Sequence, residues 1–158
     1  DDNVVSLSRR LSVRSAELLA EFIDDIRVNG LKEGIIQDPR KVTYTPIITK
    51  EMGKIDWSTE ALQVQRQIRA LVAWPTAYTY LDGLLLKIFD GVVSSDCADA
   101  GAAVPGTVLD VNRKGVCIAT GAGVLLVREV QLQNKKRMRA YNFAQGYRGL
   151  AGKIVGKC

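Results

Sequence analysis

Near the N-terminus, apolar residues recur three and four positions apart: Leu7, Leu11, Leu18, Leu19, Phe22 and Ile26. That spacing lines one face of an α-helix. Arg9, Arg10, Arg14, Glu17, Glu21 and Asp25 fall on the remainder and can face water. The pattern predicts a helix over 6–28 that stops at Asn29-Gly30, two residues that tolerate a left-handed backbone. A helix this long with a single apolar stripe needs a surface to lie on. From 37 to 53 the periodicity is lost. Gln37-Asp38-Pro39 and Thr45-Pro46 bias the residues before proline toward extended conformation. Val42-Thr43-Tyr44-Thr45 suggests short extended pieces. The segment reads as a surface linker bearing Arg40, Lys41, Lys50 and, at its end, Lys54. Helical spacing returns over 59–72, with Ala61, Val64, Ile68 and Leu71 as the apolar stripe. Ser58 or Thr59 is placed to cap it, and Trp74-Pro75 to stop it.

From Tyr78 the period changes to two. Tyr78–Leu81 and Leu84–Val93 flank Asp82-Gly83, a strong two-residue hairpin signal. After a small-residue loop over Ser94–Val104, strands are expected at Gly106–Val111, Val116–Thr120 and Val124–Leu132. Asn112–Gly115 and Gly121–Gly123 supply the turns between them. Five short antiparallel strands are too few for a large sandwich, and closing them removes exposed edges. The expectation is therefore an α+β chain, mainly β, with a five-stranded antiparallel barrel over 77–132 preceded by two helices and an extended linker. A short helix near Ala140–Gln145 plugs or flanks the barrel. Trp57, Trp74, Tyr78, Tyr80 and Phe89 read as core aromatics, which leaves Tyr141 and Tyr147 as the rings able to meet a base.

Composition narrows the chemistry. The chain has 158 residues, 47% of them hydrophobic and 25% charged, the balance of a soluble globular domain. No apolar run approaches the roughly 18 residues of a membrane span, and no leader precedes Asp1-Asp2-Asn3. The missing initiator Met suggests a fragment or a processed product. There is no histidine, which removes His-based nucleophile activation and His-ligated metal. Cys97, Cys117 and Cys158 form no C-x-x-C pair and read as reduced thiols, with Cys117 a small buried residue. Asp24-Asp25 and Asp96/Asp99 are carboxylate pairs with no converging partners, and Gly121-Ala122-Gly123 reads as a turn rather than a phosphate loop. No catalytic residue and no metal ligand is expected.

Charge is unevenly distributed. The net charge is +5 over the chain, yet residues 1–34 carry −2, residues 35–130 carry 0 and residues 131–158 carry +7. Concentrated positive charge is the footprint of a polyanion partner, or else a solubilising tail. Lys135, Lys136, Arg137 and Arg139 form the densest run. Lys50, Lys54, Arg66 and Arg69 could extend the same surface. Asp82 and Asp90 lie outside the run, and replacing them is expected to leave RNA binding unchanged.

Several motifs together resemble the C-terminal domain of methionyl-tRNA formyltransferases. They are Gly53-Lys54-Ile55-Asp56-Trp57-Ser58, Ile68-Arg69-Ala70-Leu71, Trp74-Pro75 and Ala77-Tyr78-Thr79. They continue with Leu86-Lys87-Ile88, Gly106-Thr107-Val108 and Lys136-Arg137-Met138, then Phe143 and Gly146. Upstream, Gln37-Asp38, Thr43-Tyr44-Thr45-Pro46 and Lys50-Glu51 are similar to that family's interdomain linker. Thr76 stands where the family usually has glycine, and Val72-Ala73 replaces a more polar or proline-containing pair.

The resemblance implies a division into 1–36, a terminal helix of an absent catalytic domain; 37–53, the linker; and 54–158, an OB-like tRNA-binding domain. It implies a parent enzyme that formylates methionyl-initiator tRNA, with 10-formyltetrahydrofolate as cosubstrate and no cofactor in this part. The implied partners are initiator tRNA and the catalytic domain, with no membrane, in a cytoplasmic or organellar monomer. The family's Asn-His-Asp constellation has no counterpart here. A sister formyltransferase or formyltetrahydrofolate hydrolase with a similar C-terminal domain, or a freestanding nucleic-acid-binding OB module, is the alternative.

Overall fold

Asn3 opens the first helix. Its Oδ1 accepts the Val5 and Ser6 amides at 3.0 Å each, and Ser6 Oγ accepts the Asn3 amide at 3.0 Å. This reciprocal box satisfies donors that the first turn leaves unpaired. Helix α1 spans Val4–Asn29, and Gly30 ends it with φ 74 and its amide on Ile26 O at 2.9 Å. The computed structural model describes residues 2–95, 97 and 100–156. It divides into two units, Asp1–Ile48 and Thr49–Cys158. Within the first unit no residue of α1 is buried. Its predicted stripe is open, with Leu11 56%, Leu19 58% and Phe22 54% exposed. A 3-10 turn follows at Pro39–Lys41. The stretch expected to hold short extended pieces, 42–45, joins no ladder.

The second unit starts with a 3-10 turn at Glu51–Gly53 and helix α2 at Ala61–Leu71. Ala61, Val64, Ile68 and Leu71 are buried, as their spacing requires. The cap differs from expectation. Glu60 holds the N-cap position without a side-chain bond. Ser58 Oγ donates instead to Asp56 Oδ1 at 2.7 Å and Thr59 Oγ1 to Asp56 O at 2.8 Å, so both hydroxyls serve the preceding turn. Thr76, which replaces the resembled family's glycine, sits at φ 71. A β-branched residue is strained there, which is the physical reason for glycine at that point.

Among the described residues six strands follow: β1 Ala77–Leu81, β2 Leu84–Val93, β3 Val108–Asn112, β4 Gly115–Ala119, β5 Val124–Leu132 and β6 Met138–Arg139. Helix α3, Ala140–Gly146, comes next. Asp82 and Gly83 turn β1 into β2 with φ 49 and 77, the backbone such a two-residue hairpin needs. All ladders are antiparallel, in the order β1-β2-β5-β4-β3, with β6 on β5. The expected five-stranded closed barrel is therefore corrected to an open six-stranded sheet: β1 and β3 share no ladder. The C-terminal segment spans these edges. Val108 N bonds Lys153 O at 2.8 Å, Val155 N bonds Gly106 O at 2.9 Å and Gly156 N bonds Tyr80 O at 2.8 Å. A strap covers the exposed edges, an alternative to closing them on each other. It needs Gly106, where φ is 90 and a Cβ would lie 2.6 Å from Val155 O.

The main core packs Ile68, Leu81, Ile88, Ile118 and Leu125. Trp57 is buried, and its Nε1 donates to buried Thr79 Oγ1 at 3.0 Å. Tyr78, Tyr80 and Phe89 are half-buried. Trp74 contradicts the core reading: it is 53% exposed, because it lies beyond Leu71, the last buried position of α2.

The cysteines require a correction too. Cys97 and Cys117 form a disulfide with Cα atoms 5.9 Å apart. Cys97 belongs to the β2–β3 loop, and Cys117 to the β4 face opposite the main core. With Val124 and Leu126 they form a second apolar cluster, against which Val92, Ala100 and Leu109 pack. No spacing rule signals this pair, since the fold alone brings loop and strand together. Cys158 lies outside the described residues. Among those described, no helix is long and apolar enough to cross a membrane.

Candidate nucleic-acid interface

β2 and β5 slip out of register at one place. Ile88 pairs with Val130, Asp90 with Glu129 and Gly91 with Val127, which leaves Phe89 and Arg128 without ladder partners. Bulges of this kind bend a strand and re-aim its side chains. Here Asp90 and Arg128 meet on one face. Arg128 Nε donates to Asp90 Oδ2 at 2.7 Å and Nη2 to Oδ1 at 2.9 Å, a bidentate fork. Next to it, Arg137 Nη2 donates to Glu129 Oε2. The Arg137 guanidinium also lies 4.1 Å from the centroid of the Phe89 ring, within cation–π range. Donating to Asp90 raises the pKa of Arg128, and donating to Glu129 raises that of Arg137, with Asp90 adding a smaller charge effect.

Arg113 and Lys114 approach from the β3–β4 turn. Asn112 Oδ1 holds that turn by accepting the Lys114 amide at 2.9 Å. Arg139 stands opposite Glu129 in the β5–β6 ladder, and Tyr141 follows on α3. These four, with Asp90, Arg128 and Glu129, line a hollow of about 520 Å³. A neighbouring hollow of about 530 Å³ shares Lys114 and Arg128 and continues past Val93 and Ser95. Four basic side chains thus face two carboxylates, with one phenol beside them.

The sequence-derived candidates separate into groups. Arg139 lines the hollow, and Arg137 adjoins it through Glu129. Lys135 and Lys136 are exposed in the β5–β6 turn, where Asn134 takes φ 61 and Lys135 N bonds Leu132 O at 2.9 Å. Lys50, Lys54, Arg66 and Arg69 do not line the hollow. Lys50 and Lys54 bracket the Glu51–Gly53 turn and Arg66 and Arg69 lie on α2; Gln67 ties the two elements, its Nε2 donating to Met52 O at 2.8 Å and Lys54 O at 3.0 Å. Lys153 is engaged elsewhere: it pairs with Asp82 at 2.6 Å. Lys157 lies outside the described residues.

Arg113, Lys114 and Arg128 were missed by the sequence reading. The first two were read only as a turn, and the third only as part of a strand. The usable signal was their shared sign beside a predicted hairpin and strand. Asp24 engages Arg27 at 3.4 Å and Asp25 engages Lys32 at 3.0 Å, while Asp96 and Asp99 lie outside the described residues. Among the described residues no group could hold a metal ion.

The formyl transferase C-terminal domain model matches residues 47–148. Methionyl-tRNA formyltransferase of Citrifermentans bemidjiense is 39% identical over 157 residues, covering 99% of this chain and 48% of the relative. That of Bacillus subtilis (strain 168) is 40% identical over 156 residues, covering 98% and 48%. The chain therefore spans about half the length of the curated relatives it matches. Among solved structures, HypX from Aquifex aeolicus in complex with tetrahydrofolic acid has a similar fold. Its TM-score is 0.61 at 16% identity, over 87% of this chain and 24% of that one. By the domain match and these relatives, the chain belongs to the formyl transferase family, whose C-terminal domain it carries.

Proposed function

We propose that this chain is the C-terminal half of a methionyl-tRNA formyltransferase and that its sheet-bearing domain holds the tRNA by its phosphates. The observation that carries this reading is the gathering of Arg113, Lys114, Arg128 and Arg139 around one hollow, on a chain about 40% identical to such an enzyme along nearly its whole length. The parent moves a formyl group from 10-formyltetrahydrofolate to the amino group of methionyl-initiator tRNA, in the cytoplasm or an organellar matrix. Helix α1 belongs to its catalytic domain, which covers the open apolar stripe; residues 37–53 link the two domains.

The formyl donor is bound by the other half. This half positions the substrate. Lysine and arginine contacts to phosphates fix the register of an RNA without reading its sequence. Buried Trp57 and half-buried Tyr78, Tyr80 and Phe89 limit base stacking, with half-buried Tyr141 the ring at the hollow's edge. Lys135 and Lys136 extend the basic face along the β5–β6 turn, and Lys50, Lys54, Arg66 and Arg69 are further candidate contacts to the same backbone. A sister formyltransferase would have less use for this concentration of charge.

The test is an anisotropy titration of the chain with tRNA at several salt concentrations. Non-specific binding of about 10⁻⁴ to 10⁻⁶ M that falls steeply with salt is expected. Replacing Lys135, Lys136, Arg137 and Arg139 together with alanine should weaken binding and flatten the salt slope. Unchanged affinity and slope would reduce the tail to a solubility feature.

A further inference from the structure

The hollow contains two groups that oppose a phosphate. Asp90 and Glu129 line it together with the four basic residues. Asp90 takes two of the Arg128 donors, and Glu129 takes an Arg137 donor. We infer that Asp90 and Glu129 cap the grip of this surface on RNA, keeping two arginines partly engaged and repelling the entering backbone. The inference rests on the reading of the hollow as an RNA surface.

Stability does not explain the two carboxylates. Side-chain exposure is 47% and 39% in the Arg128–Asp90 pair, and 47% and 34% in the Arg137–Glu129 pair. Ion pairs this accessible contribute little to folding. They nevertheless sit on the bulge that shapes the hollow, in the ladder positions facing each other. Their effect falls on affinity. Each arginine released to a phosphate adds one contact, and each contact adds about 0.7–0.9 to the salt slope. Between 1 M and 0.15 M salt, that slope corresponds to roughly 5-fold in affinity per contact, or about 20-fold for two. Because phosphate contacts carry no sequence information, the gain would go to every tRNA alike. A capped surface leaves discrimination to contacts outside this domain and lets product leave. Asp90, a bystander in the sequence reading, thereby becomes a residue that limits affinity.

The experiment compares three forms of the 158-residue chain: the parent, D90N/E129Q, and R113A/K114A/R139A. Each is titrated with an initiator tRNA transcript and an elongator transcript from 0.05 to 0.5 M salt, on the order of the range where counterion release is resolved, with thermal melts confirming folding. D90N/E129Q is expected to bind both transcripts about 20-fold more tightly at 0.15 M salt, with a slope steeper by nearly two contacts. R113A/K114A/R139A is expected to weaken both and flatten the slope. If that triple variant loses affinity while D90N/E129Q binds no more tightly than the parent, the cap is refuted and the RNA surface stands. If the triple variant binds like the parent, the RNA surface itself is refuted, and the cap with it. Should D90N/E129Q melt early, E129Q alone carries the test, with about a 5-fold gain expected.

Discussion

Reducing the Cys97–Cys117 bond should cost this domain a large part of its stability. The bond joins residues 20 apart in sequence. Opening a loop of that size returns about 11 cal/mol/K of chain entropy to the unfolded state, or about 3 kcal/mol at 25 °C. The reduced cysteines still fill their places beside Val124 and Leu126, so packing loss adds little when the bond is reduced rather than mutated. The β2–β3 loop keeps backbone anchors at its ends, Ser94 N to Val124 O at 3.3 Å and Gly106 N to Ala119 O at 2.8 Å. The sheet should therefore survive while the apolar cluster over β4 loosens. The assay is urea unfolding followed by tryptophan fluorescence, with and without a dithiol reductant. Reduction should lower the midpoint by roughly 2 M at an m-value ordinary for this size. Alkylation of the denatured, unreduced chain should modify one of the three cysteines. Coincident unfolding curves would refute the entropy argument, and three modified thiols in the unreduced chain would refute the bond.

Two further outcomes follow from the core and the strap. Trp57→Phe removes the donor that serves buried Thr79 and should cost about 2 kcal/mol in urea unfolding, as expected for a buried polar group that loses its partner; an unchanged midpoint would show that the bond contributes nothing. At the strap, Lys153 and then Tyr147 hold the Asp82 carboxyl below the usual carboxylate range. The folded state thus binds fewer protons there than the unfolded state, and stability rises with pH. The advantage of the parent over D82N should be full above about pH 4, the unfolded aspartate value, and fade as pH falls through the folded one. Parallel stability–pH curves for the two would contradict this.

Periodicity carried much of the fold because burial repeats along a regular element. The stripe Ala61, Val64, Ile68 and Leu71 is the buried face of α2, Asp82-Gly83 is the hairpin turn, and β5 runs over Val124–Leu132 as expected. Features that depend on distant parts of the chain were not legible. β6 is only two residues long and exists because β5 offers an edge. The strap of Lys153–Gly156 has no strand pattern, so the sheet was expected to close on itself. The disulfide joins positions that only the fold makes neighbours. The candidate site shows the same division. Sequence found the charge of Arg137 and Arg139 but not their neighbours, because Arg113 and Arg128 enter the hollow through a turn and a bulge.

The central claim, that the face around this bulge holds RNA, is tested most directly by mapping contacts on the chain itself. In an ¹⁵N NMR titration of the labelled chain with tRNA, the account predicts the largest shifts at Arg113, Lys114, Arg128, Glu129 and 135–141, with β4 and the strap nearly still. Shifts that are absent, or that cluster on surfaces remote from these residues, would contradict it.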